Sequence, residues 1–277
     1  MTPRAAAVFL ASFIVLPACL PDETRTPPGA LVIELAGTQA VDAQVESADG
    51  WELRLRQVYA SVGHVELTGD ACEAYSEAGY SRILDLGQRE PQRISLTYGL
   101  GACTLAFTIA QPRWNTVVGD GVAAEVAQRF RTPGNDGQTE GGASLYLEGE
   151  GRRADAVVRF AWTFRPHLVF SDCRRHDETS ATVVLTSMGQ QTLALELDAL
   201  AVFRDDSGGL RFEPFATADS AGVADGEVTL AELSAVSGAS PPETLLQNVY
   251  RRLPRLADLA GGDCSGQVKI CEGDCDD

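Results

Sequence analysis

The chain has 277 residues, of which 44% are hydrophobic, and a formal net charge of −17. About 250 residues follow the first proline-rich stretch, enough for one large β domain or two smaller ones with a proper core. So acidic a chain, with no basic patch in its sequence, is repelled by phosphate backbones, which argues against nucleic-acid binding.

Arg4 is followed by an apolar run from Ala5 to Leu16 and then by Leu16-Pro17-Ala18-Cys19. The charged start and short apolar run have the form of a secretory signal, and the run is too short to cross a bilayer as a mature helix. Its end resembles a bacterial lipobox, with Leu at −3, Ala at −1 and a cysteine to be acylated at Cys19. The alternative is an ordinary secretory signal cut near Cys19, but Leu16 suits that site poorly. Pro17 is an uncommon lipobox residue. The expectation is a signal peptide over 1–18 and a Pro-rich tether over 19–29. Acyl chains on Cys19 would place the protein in the cell envelope, and Leu20 points to the outer membrane.

From 30 to 211 the sequence reads as a β-sandwich. Trp51 to Arg56 alternates apolar and charged residues, the period-2 signature of a half-buried strand. Further strands are expected over Val58–Leu67, Arg82–Leu86, Arg93–Tyr98, Cys103–Ile109, Ala143–Glu148, Ala156–Phe164, Thr182–Leu185 and Thr192–Leu197, divided by turn residues. Arg131 to Gly142 reads as a loop, and Val122 to Phe130 suits either strand or helix. His64, alone in a strand, reads as structural.

The composition shifts near residue 212, and 212–262 reads as a helical, EF-hand-like appendage. Asp225-Gly226-Glu227-Val228-Thr229-Leu230-Ala231-Glu232 matches the second half of a calcium loop. Gly makes the sharp turn, a backbone carbonyl follows, Thr229 or its water comes next, and the last Glu grips the ion. The first half departs, because the regular register puts Ala221 and Val223 where oxygen donors belong. Asp219 enters only if the loop is two residues longer. The candidate calcium ligands are therefore Asp219, Asp225, Glu227, Thr229 and Glu232, in a site no tighter than ~10⁻⁴–10⁻³ M. The other reading is a helix–loop–helix that packs without metal. Beyond it, Ser240 caps a helix whose apolar stripe runs Leu245, Leu246, Val249, Leu253, Leu256 and Leu259, with Pro254 as a kink and Gly261-Gly262 as its end. An acidic, Cys-containing tail over 263–277 closes the chain.

The chain has seven cysteines. Acylation of Cys19 leaves Cys72, Cys103, Cys173, Cys264, Cys271 and Cys275, an even set for an oxidising compartment, with 15 possible pairings. Cys72–Cys103, Cys173–Cys264 and Cys271–Cys275 are the pairs expected. The competing reading is a zinc site using Cys173 and His176 at C-x-x-H spacing with tail cysteines.

The stretch from about Leu195 to Cys264 resembles uncharacterised bacterial envelope lipoproteins with a β-rich body. In those, a phrase like Leu210-Arg211-Phe212-Glu213-Pro214 precedes an EF-like loop ending in Val-Thr-Leu-x-Glu-Leu, then a helix and a late cysteine. The resemblance implies calcium in the loop. Two departures stand out. Val223-Ala224 interrupts the Asp-rich loop, and Asp198 and Ala201 occupy the places of an upstream His-x-x-His.

The sequence has no G-x-S-x-G elbow, H-E-x-x-H helix or P-loop. The expected function is a non-enzymatic, membrane-anchored envelope lipoprotein with weak calcium binding, joined to an envelope protein or ligand. The alternatives are a periplasmic copper-binding sandwich and an enzyme acting on envelope polysaccharide. The first would have only His64, His167, His176 and, apart from the start, Met188 as ligands; the second needs two facing carboxylates.

Overall fold

The computed structural model of the chain describes residues 26–76, 78–88, 90–133, 142–176, 182–238 and 243–269. Strands account for 51% and helical elements for 17%, so the protein is mainly β. The first half carries β1 (Gly29–Gly37), β2 (Gln44–Glu46), β3 (Glu52–Thr68), β4 (Cys72–Ala74), β5 (Ala78–Asp85), β6 (Gln92–Ile109) and β7 (Val117–Val118). Then come helix α1 (Ala124–Arg131), β8 (Leu145–Arg153), β9 (Ala156–Phe164), β10 (His167–Arg175), β11 (Val183–Leu185) and β12 (Gln190–Leu197). The C-terminal part alternates α2 (Glu213–Ala221), β13 (Glu227–Val228), α3 (Leu230–Ala235), α4 (Leu245–Arg252), β14 (Ala257–Leu259) and β15 (Gly262–Lys269).

The strands join in one large mixed sheet, whose longest path runs β13-β9-β8-β3-β6-β1-β12-β14. Two long strands hold it together. β6 pairs with β1 through Gln92–Gly99 and then, further along, with β10 and β3 through Thr104–Ile109. β3 pairs with β8 in its first half and with β5 and β6 in its second. Each long strand covers two of the strands expected from sequence, because no turn interrupts the pairing. Where the register of β3 slips after Gly63, His64 sits at φ 49°, so the histidine occupies a bulge. β10 was not among the expected strands. Its buried residues are Leu168, Phe170 and Cys173, and a bulge between Ser171 and Arg174 breaks the alternation that would have announced it.

The C-terminal helices share the core of the sheet. Phe160 and Trp162 of β9 meet Phe203 of a 3-10 turn, Ala199–Phe203, at ring-centroid distances of 5.2 and 5.6 Å. Phe215 of α2 lies 5.5 Å from Trp162 and 5.0 Å from Phe203, and Phe212 lies 5.3 Å from Trp51. Buried Leu233, Leu245, Val249 and Leu253 belong to the same apolar cluster as Leu31, Leu55 and Phe107. Residues on both sides of the expected boundary near 211 thus bury their apolar area against one another.

The expected helix over Leu245–Leu259 stops early. Thr244 caps α4, with Gln247 completing a capping box; Ser240, the expected cap, lies outside the described residues. Pro254 cannot continue the helix, so a 3-10 turn, Leu253–Arg255, leads into β14. β15 then takes up residues expected in the tail and pairs with β10. Cys173 and Cys264, on these neighbouring strands, form a disulfide, and Cys72 of β4 is bonded to Cys103 of β6. Cys173 is therefore no zinc thiolate. Cys19, Cys271 and Cys275 lie outside the described residues.

Candidate functional site

The candidate site is the α2–β13–α3 segment. α2 has no cap of its own at Phe212. The cap comes from Asp49, in the turn before β3, whose Oδ2 accepts from the amides of Phe212 and Glu213 at 2.9 Å each. A carboxylate there satisfies two free N–H groups and faces the positive end of the helix. Trp51 Nε1 donates to Glu213 Oε2 at 2.8 Å, Arg153 pairs with the same carboxylate, and the Arg153 guanidinium lies 4.6 Å from the Trp51 ring centroid. These contacts lower the pKa of Glu213, the Trp51 hydrogen bond first and that from Arg153 second. Asp49 and Glu213 are separated by most of the chain, so no local sequence signal pairs them.

Phe215, Ala216 and Ala218 turn the buried face of α2 to the core and bring Asp219 with them. The helix ends where the Gly222 amide donates to the carbonyls of Ala218 and Asp219. The turn expected at Gly226 is present, with φ 79°, after Ala224 at φ 56°. Asp219 Oδ1 accepts from the Gly226 amide at 3.1 Å, which ties the start of the loop to its turn. Asp225 and Glu227 are exposed, and the Asp225 carboxylate accepts from the Glu227 amide at 3.0 Å. β13 runs parallel to β9, and the Val228 carbonyl accepts from Trp162 Nε1 at 2.8 Å.

Glu232 closes the loop. Its Oε1 accepts from the Val223 amide at 2.9 Å, and its Oε2 accepts from the Thr229 amide at 2.8 Å and from Thr229 Oγ1 at 3.0 Å. Thr229 Oγ1 in turn accepts from the Glu232 amide at 3.2 Å, a reciprocal capping box at the start of α3. A side chain on Gly222 would collide with the Glu232 carboxylate, so the close approach requires glycine. The amide bonds from Val223 and Thr229 hold the Glu232 pKa below its ordinary 4.5.

Of the five expected ligands, Asp219 and Glu232 are buried and tied to the loop's own backbone, Thr229 serves as a cap, and Asp225 and Glu227 face outward. Among the described residues, no three His, Cys, Asp or Glu side chains gather as an ion site. Both oxygens of Glu232 and one oxygen each of Asp219 and Asp225 accept from N–H or O–H donors, so the loop is closed by its own hydrogen bonds.

Of the residues named for the alternatives, His64 and His167 are neighbours, the charge of His64 being one of those that, after burial, lower the His167 pKa. His176 pairs with Asp263 at 3.3 Å, and Met188 is exposed in the turn before β12. Buried Glu150 is held by Arg56 and Arg152, at 2.7 Å each. Comparison with models of protein families, with curated proteins and with solved structures finds no match to this chain.

Proposed function

We propose that the protein is a lipid-anchored component of the cell envelope, held at the outer membrane through Cys19, that acts by binding rather than catalysis. Its body is a β-sandwich, and the EF-hand-like helices are built into that body as a latch. The observation that carries the reading is Leu16-Pro17-Ala18-Cys19 at the end of an apolar run, followed by a Pro-rich stretch that ends where β1 begins. The two cross-strand disulfides support an oxidising compartment. Calcium, the ion the resemblance implies, would have to displace the donors on Glu232, so in this reading it binds no tighter than ~10⁻³ M.

The test is the full chain expressed in a bacterium fed a labelled fatty acid. The parent is expected in the membrane fraction with label attached, and Cys19→Ser without label and released from that fraction. Equal labelling and equal membrane recovery of the two would overturn the anchor.

A further inference from the structure

The chain has three tryptophans. Trp51 and Trp162 are 2% and 0% exposed, inside the aromatic core, whereas Trp114 is 95% exposed. It stands in the turn between β6 and β7, and that turn is fixed on both sides. The Arg113 amide donates to Thr116 Oγ1 at 2.8 Å, Thr116 Oγ1 meets Ser81 Oγ at 2.7 Å, and Asn115 Nδ2 donates to the Gly79 carbonyl at 3.1 Å. A firmly held turn that presents an indole to solvent leaves its apolar area to be covered from outside the fold. Val117, 43% exposed, continues the apolar edge.

Cationic residues share this corner. Arg113 is in the turn, and Arg131 donates to the Thr116 carbonyl at 3.1 Å. Arg165 donates to the carbonyl of Thr132, the residue after Arg131, at 3.4 Å. His167 of β10 lies opposite Lys269 of β15, and its pKa is lowered by burial first and then by the charges of Lys269, His64 and Arg113. The chain as a whole carries a formal net charge of −17, so these cations stand out against an acidic background.

The corner also lies close to where the chain enters the body. The Tyr75 hydroxyl donates to the Thr26 carbonyl at 3.1 Å. Tyr75 and Gly79, which receives the Asn115 bond, are at most ~14 Å apart along the chain, and Cys19 and Thr26 at most ~25 Å.

We propose that the Trp114 turn, with Arg113, Arg131, Arg165 and Lys269 around it, is a membrane-docking surface that seats the body on anionic phospholipid headgroups. The inference rests on the lipid-anchor reading and adds an orientation to it. The indole suits the headgroup boundary, and the cations are drawn to anionic lipid while the acidic remainder is repelled.

The experiment uses the full acylated protein in vesicles of phosphatidylethanolamine and phosphatidylglycerol, with plain or brominated acyl chains. Trp51 and Trp162 are enclosed, so bromine quenching reports on Trp114. Quenching in the parent and its loss in Trp114→Ala is the result expected. A parent that floats with the vesicles but fluoresces equally in both kinds overturns the docking and leaves the anchor standing. A parent that is neither acylated nor vesicle-bound overturns the anchor, and the docking falls with it. Equal quenching in wholly zwitterionic vesicles would overturn the part given to the cations.

Discussion

Both oxygens of the Glu232 carboxylate have donors, from Val223 on one side and Thr229 on the other. In Glu232→Gln one oxygen becomes an NH₂ group that must face an N–H donor. The expected cost is ~1–3 kcal/mol, the penalty of an unmatched buried polar group, read by denaturant unfolding. The depressed pKa of Glu232 sets the pH dependence. Its stabilisation is full above the unfolded value of 4.5 and is lost as pH falls through the lower folded value. The gap between parent and Glu232→Gln is therefore expected to narrow in acid below 4.5, because glutamine does not titrate; a gap constant with pH would assign the loss to something other than the carboxylate charge. Calcium separates the two readings of the same residue. With a dissociation constant no tighter than ~10⁻³ M, 1 mM Ca²⁺ adds at most ~0.4 kcal/mol. The thermal midpoint is then expected to rise by less than ~2 °C. A rise of many degrees that Glu232→Gln abolishes would make the loop a true calcium site.

At the scale of elements, period-2 alternation made the first part of β3 and the whole of β9 visible in the sequence, since one face of each packs on the core, whereas residues 58–63 of β3 are buried on both faces. The same rule missed β10, whose bulge lets Cys173 point inward after an interval of three. Of the stripe Leu245, Leu246, Val249, Leu253, Leu256 and Leu259 all but the half-buried Leu246 are buried, but helix, 3-10 turn and strand take turns in burying it. Helical spacing alone does not register those changes; Pro254 was the local mark of the first. The loop turn at Gly226 was legible because it is short-range chemistry, whereas Thr229 and Glu232, read from the sequence as calcium ligands, pair in the structure as a capping box. The Asp49 cap on α2 was not legible, because its partners are brought together only by the sheet. Asp49→Ala is expected to destabilise the protein by ~0.5–2 kcal/mol, the range for removing a helix cap. Hydrogen exchange is expected to accelerate most at the amides of Phe212 and Glu213, which lose their acceptor. Unchanged exchange there would mean that another group caps the helix.

For the whole molecule, the shared aromatic core decides how the chain unfolds. Trp162 of β9 touches Phe203 and Phe215, while Trp51, which precedes β3, touches Phe212. The sheet therefore depends on the C-terminal segment to cover its largest side chains, and the segment, with helices of nine residues or fewer, depends on the sheet. Phe215→Ala removes a fully buried ring at the centre of this contact and is expected to cost ~3–5 kcal/mol. Because both parts lose the same neighbour, the loss should appear as one transition, with tryptophan fluorescence and far-ultraviolet circular dichroism sharing a midpoint. A chain ended after residue 211 would leave Trp162 without Phe215 and without the Val228 carbonyl that its Nε1 bonds. It is expected to lack the cooperative transition of the parent. A truncated chain that unfolds sharply, near the parent's midpoint, would instead make the helical segment a true appendage, docked on a sheet that stands without it.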